Sequence, residues 1–163
     1  MRRLVLLSLL ALPAAHAAPP AVRLDAVRYD DLAAEIRGLK GQVVLVDVWG
    51  TFCPPCKEKF PGVVSLHERY AMKGLAVVSV SVDQPQDPAS KAAALAFLTK
   101  HRATFRNVIL SDEADLWQEK WKTVGPPLLF LFDRDGKLAG RWLGKFELAE
   151  VERKVAEVVG ERP

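Results

Sequence analysis

The chain has 163 residues, half of them hydrophobic and about a quarter charged, with 23 basic and 20 acidic side chains and a net charge of +3. That is one soluble globular domain with room for a short leader, and its charge balance leaves no electrostatic footprint for nucleic acid. Two cysteines in the whole chain exclude a disulfide-stapled scaffold and leave a pair that is either catalytic or metal-binding.

Met1-Arg2-Arg3 is a basic start, followed by an apolar run from Leu4 to Leu12 broken only by Ser8. Ala15-His16-Ala17 supplies the small-residue pattern of a cleavage site, so residues 1–17 read as a secretory signal peptide and residues 18–163 as the mature domain. The apolar run is too short to span a bilayer comfortably; a retained membrane anchor is the alternative. Export to the periplasm places the cysteines where disulfides persist.

Residues 22–28 alternate as a short edge strand. Asp30 or Asp31 is expected to cap a helix running to about Leu39. Val43 to Trp49 is a β-branched apolar run, expected as a central strand buried on both faces, with Asp47 as its one polar residue. Residues 54–72 are expected to be helical. Pro54 and Pro55 are tolerated in the first turn, where N–H groups have no partner, and Pro61 lies inside as an expected kink. Leu75 to Val82 reads as a second buried strand, residues 90–101 as an amphipathic helix and Asn107 to Leu110 as a short strand. Ser111 is expected to cap a helix over 113–121. Leu128 to Phe132 and Lys137 to Leu143 form a hairpin about Asp133-Arg134-Asp135-Gly136, and a last helix covers about 147–158. Alternating strands and helices followed by a hairpin predict an α/β fold with a mixed sheet.

The stretch Trp49-Gly50-Thr51-Phe52-Cys53-Pro54-Pro55-Cys56 holds both cysteines. Cys53 falls at a helix N-terminus, where free N–H groups and the helix dipole favour a thiolate. Cys56 lies one turn on, within reach of Cys53. This arrangement suits thiol–disulfide exchange, with Cys53 as nucleophile and Cys56 as resolving thiol. Asp47 is the expected proton acceptor for Cys56, because a buried carboxylate has a raised pKa; satisfaction by backbone N–H groups or by Lys59 is the structural alternative. Trp49 and Phe52 are expected at an apolar rim around Cys53, with a purely core role for Trp49 equally open. Trp117 and Trp121 read as packing residues, and His67 and His101 as exposed polar positions.

These residues resemble the thioredoxin superfamily, and within it the extracytoplasmic TlpA/ResA-like thiol–disulfide oxidoreductases. The resemblance rests on the strand Val43–Val48, the Trp49-x-x-x-Cys53-Pro54-Pro55-Cys56 motif, Pro61, and the segment Val124-Gly125-Pro126-Pro127 leading to Asp133-x-Asp135-Gly136. It covers roughly residues 40–145 and implies a three-layer α/β/α sandwich. It implies that Pro127 is a cis-proline facing the dithiol, and that Pro126, with no N–H, offers a substrate strand only its carbonyl. Pro54 and Pro55 complete the implied substrate-contacting set with Trp49, Phe52, Pro126 and Pro127. Gly50-Thr51-Phe52 and the Leu128-Leu129 run depart from the common family pattern, which bears on substrate preference. The resemblance further implies protein substrates carrying a disulfide or dithiol, as in apocytochrome c or copper-site assembly, and a membrane electron donor. The redox disulfide serves in place of a cofactor, no metal is required, and the chain is expected to be a monomer.

Two other functions are compatible with the fold. A thiol peroxidase is disfavoured because Thr51 stands two residues before Cys53 and residues 43–50 hold no proline. A copper-binding metallochaperone would need ligands beyond the two cysteines, and His67 and His101 are not in a metal-like spacing.

Overall fold

The computed structural model describes residues 21–160; the expected signal peptide, residues 1–17, lies outside them. The elements are β1 (Asp25–Val27), α1 (Tyr29–Gly38), β2 (Val43–Trp49), α2 (Pro54–Tyr70), a 3-10 turn (Ala71–Lys73), β3 (Leu75–Ser81), α3 (Pro88–Lys100), β4 (Arg106–Leu110), α4 (Ala114–Trp121), β5 (Leu128–Phe132), β6 (Leu138–Leu143) and α5 (Leu148–Val159). One six-stranded sheet has the order β1-β4-β3-β2-β5-β6. The first four strands are parallel and β5 and β6 antiparallel, so the sheet is mixed, with helices on both faces.

All seven residues of β2 are buried, because helices cover both faces of the strand. Side chains alternate across it. Val44, Val46 and Val48 pack with Leu32 of α1 and Trp117 of α4. Val43 and Leu45 pack with Val63 and Leu66 of α2 and Val151 and Val155 of α5. Trp49 lies beneath α2 and α3 with Phe60, Val64, Ala94 and Leu98. By the same alternation Asp47 belongs to the α2 face. No helix among the described residues is long and apolar enough to cross a membrane.

Several local expectations are corrected. Arg28, not an aspartate, occupies the N-cap of α1 and makes no side-chain cap; Asp30 and Asp31 lie in the first turn. The free N–H of Tyr29 is instead taken by the Asp112 carboxylate at 2.5 Å, a donor–acceptor pair 83 residues apart in sequence. Ser111 does not cap α4: its hydroxyl donates to Val27 O at 3.1 Å, and Glu113 is the N-cap residue. The α3 helix starts two residues early, because Asp87 accepts from Ala89 N and Ser90 N while Pro88 fills the first helical position. The α2 helix runs as one element through Pro61 and ends at Tyr70. His67 and His101 are half-buried rather than exposed, His67 against Phe105 and His101 against Phe97.

Candidate active site

Three chain segments meet at one end of the sheet. β2 ends at Trp49, and its register with β3 sets Trp49 beside Ser81. The antiparallel pairing of Val48 with Leu128 brings the start of β5, and so Pro127, to the same end. The turn that leaves β2 closes by a hydrogen bond from Cys53 N to Gly50 O at 3.0 Å. α2 then begins with Cys53 as its N-cap residue and the two prolines in its first positions. Neither proline has an N–H to leave unpaired there.

Cys53 and Cys56 form a disulfide with Cα atoms 5.4 Å apart. Both residues are buried, at 6 % and 5 % exposure, whereas Phe52 beside them is 64 % exposed. Pro54 and Pro55 are exposed, Pro126 is half-buried and Pro127 buried. The Pro126–Pro127 peptide bond is cis. The Pro127 carbonyl is engaged by Gly144 N at 2.9 Å. Phe52, Val82, Trp117, Val124 and Pro126 line an apolar groove of about 420 Å³, which shares Phe52 with the dithiol turn but is lined by neither cysteine. A pocket of about 370 Å³ between α1 and the sheet, walled by Tyr29, Trp121 and Phe132, contains neither cysteine.

Asp47 is only 7 % exposed. Burial pushes its carboxyl up to about 7, since removal from water penalises the charged form and no opposing charge offsets the penalty. Lys59 is not its partner: the Lys59 ammonium donates to Phe146 O at 2.7 Å and lies over the Phe146 ring. Asp47 is therefore a carboxyl that exchanges a proton near neutrality on the face of the sheet that α2 covers.

Trp49 is not at the rim. It is fully buried, its ring packs against Phe60 and Phe97, and its indole N–H donates to Ser79 Oγ at 2.7 Å. A strand residue whose face is roofed by α2 and α3 has no route to the surface; Phe52, three residues later on the turn, does. Among the described residues no group of three or more His, Cys, Asp or Glu side chains is arranged to hold a metal ion.

Sequence reasoning passed over Asp83. This buried carboxylate accepts from Thr51 N at 3.0 and 3.1 Å, from Thr51 Oγ1 at 2.6 Å and from Ser81 Oγ at 2.7 Å. Its place just after a buried strand looks like an ordinary loop position. Only the β2–β3 register brings it under the dithiol turn.

Comparison with known proteins fits this geometry. A family model described as Redoxin matches residues 13–158. The chain belongs to the redoxin family. It is 30 % identical over 121 residues to the thiol-disulfide oxidoreductase ResA of Bacillus anthracis, covering 72 % of this chain and 64 % of that protein. Against ResA of Bacillus subtilis strain 168 it is 30 % identical over 104 residues, covering 64 % and 54 %. The chain thus spans between about half and two thirds of the length of these relatives. Among solved structures, the thioredoxin domain of a thiol-disulfide oxidoreductase from Bacteroides vulgatus superposes with a TM-score of 0.62 at 25 % identity, covering 76 % of this chain and 83 % of that one. A thioredoxin-family thiol:disulfide interchange protein from Chlorobium tepidum TLS gives 0.60 at 21 %, covering 76 % and 83 %. The redoxin architecture is accordingly a thioredoxin-like α/β fold.

Proposed function

We propose that the protein is an exported thiol–disulfide oxidoreductase that reduces disulfides in particular polypeptides. The observation that carries this reading is the Cys53–Cys56 disulfide at the N-terminus of α2, next to exposed Phe52, which lines an apolar groove. Relatives named thiol-disulfide oxidoreductase support the reaction class. Export rests on the signal-like sequence of residues 1–17.

In the reduced protein the Cys53 thiolate, favoured by the helix N-terminus, attacks one sulfur of a substrate disulfide. A mixed disulfide forms and the second substrate sulfur leaves as a thiolate. Cys56 gives its proton to Asp47 and attacks Cys53 Sγ, which breaks the mixed disulfide and expels the first substrate sulfur. The substrate gains two electrons and the protein returns to its disulfide. A two-electron donor must then restore the dithiol; the TlpA/ResA resemblance points to a membrane protein for this step. It also points to apocytochrome c or copper-site polypeptides as substrates. Phe52, Pro54, Pro55, Pro126 and Pro127 surround the approach, and Pro126 offers an extended substrate its carbonyl alone.

The test is a redox titration of the full chain in glutathione buffers, paired with a Cys56→Ser variant. A two-electron transition near −270 mV, about the thioredoxin value, supports the reductase. One near about −120 mV reverses the direction to disulfide formation. Cys56→Ser should accumulate a mixed disulfide on Cys53 with a disulfide-bonded peptide. The absence of any reversible transition with both cysteines intact overturns the oxidoreductase reading.

A further inference from the structure

We propose that Asp83 is a positioning residue that holds the dithiol turn in its disulfide-closed shape and thereby keeps the protein strongly reducing. The inference rests on the thiol–disulfide activity proposed above and goes beyond it by assigning what tunes that activity.

The network is built like a clamp. Val82 N donates to Trp49 O at 2.8 Å, extending the β2–β3 pairing by one residue beyond the strands. Asp83 follows, 6 % exposed, and its own N–H donates to Ser81 Oγ at 3.1 Å. Three donors converge on its two carboxylate oxygens: Thr51 N–H, Thr51 Oγ1 and Ser81 Oγ. Thr51 is the second residue of the Gly50–Cys53 turn, which the Cys53 N to Gly50 O bond closes. The carboxylate therefore fastens the turn to the end of β3, and no other acidic side chain among the described residues touches it. Three donors meet its two oxygens, so several hydrogen bonds hold the turn at once.

A fastened turn keeps the two sulfurs in one geometry, which raises the effective concentration of each thiol towards the other and favours the disulfide. Stabilising the disulfide relative to the dithiol makes the dithiol the better reductant. Asp83 is not in the path of electrons; it acts through Thr51 on the turn that carries Cys53.

The experiment measures the equilibrium of the full chain with glutathione at pH 7. Two glutathione thiols are oxidised to one glutathione disulfide as the protein disulfide is reduced to two thiols. Asp83→Asn keeps the side-chain shape but replaces one acceptor oxygen with an NH2 that faces donors. Thr51→Val removes one of the clamp's donors and leaves the Asp83 side chain in place, and Thr51→Ser restores that donor. Asp83→Asn should shift the equilibrium constant towards the dithiol by about tenfold or more, and Thr51→Val by several-fold. Thr51→Ser should stay within about twofold of the parent. If Asp83→Asn and Thr51→Val lower the melting temperature but leave the constant within about twofold, Asp83 serves the fold alone and the inference is overturned. Should Asp83→Asn fail to fold, the Thr51→Val constant decides by the same criterion. A parent protein with no reversible equilibrium overturns the oxidoreductase reading and this inference with it, whereas an unchanged constant in the variants overturns the inference only.

Discussion

Replacing Asp47 with Asn should make the oxidised protein more stable at pH 8 than at pH 4.5, relative to the parent. In the unfolded chain this carboxyl titrates near its ordinary value of 3.8, and in the folded protein near 7. Below pH 4 both states hold the proton and Asp47 costs nothing. Between about pH 4 and 7 the unfolded chain releases it while the folded chain keeps it, so the unfolded state binds fewer protons and stability falls as pH rises. Above the folded pKa both states are ionised and the loss is complete. At 1.36 kcal/mol per unit, the loss between pH 4.5 and 8 is about 3 kcal/mol. Asn does not titrate, so the variant escapes it. The steric effects of the exchange are common to both pH values and cancel in the difference. Urea unfolding of both oxidised proteins at the two pH values measures it, and oxidation keeps the cysteines from titrating. An Asp47→Asn effect equal at pH 4.5 and 8 within about 0.5 kcal/mol would refute the raised pKa. The same variant should slow resolution of a mixed disulfide and lose its rate dependence between pH 6 and 8; an unchanged rate removes Asp47 from the proton path.

Trp49→Phe should destabilise the protein by about 2–4 kcal/mol, because it leaves a space against Phe60 and Phe97 and strips Ser79 Oγ of its donor. Urea unfolding checks it, and a loss under about 1 kcal/mol would mean the core repacks around the smaller ring. Phe52→Ala should leave the melting temperature unchanged, since the ring is 64 % exposed. It should raise KM for a disulfide-bonded peptide several-fold and leave the rate with glutathione disulfide unaltered. An equal loss with both substrates would show that Phe52 shapes the dithiol turn rather than contacts the peptide.

The sequence determined what depends on neighbours along the chain. The period-2 and apolar runs specified all six strands and all five helices to within a few residues, because each element must bury a face of fixed repeat. The Cys-x-x-Cys spacing determined the disulfide, since one helical turn brings the two thiols together. Asp47 stood out as the one carboxylate in an apolar strand, and its isolation from Lys59 follows from where the Lys59 ammonium goes. Tertiary structure decided what depends on strand register and helix cover. Trp49 and Phe52 are three residues apart, yet one lies under two helices and the other in solvent. Asp112 caps α1 from another strand's end, displacing the aspartates that local propensity favoured. Asp83 meets Thr51 across 32 residues because β2 and β3 run parallel in one register. Local spacing along a chain cannot encode such a meeting; only the pairing of strands brings it about.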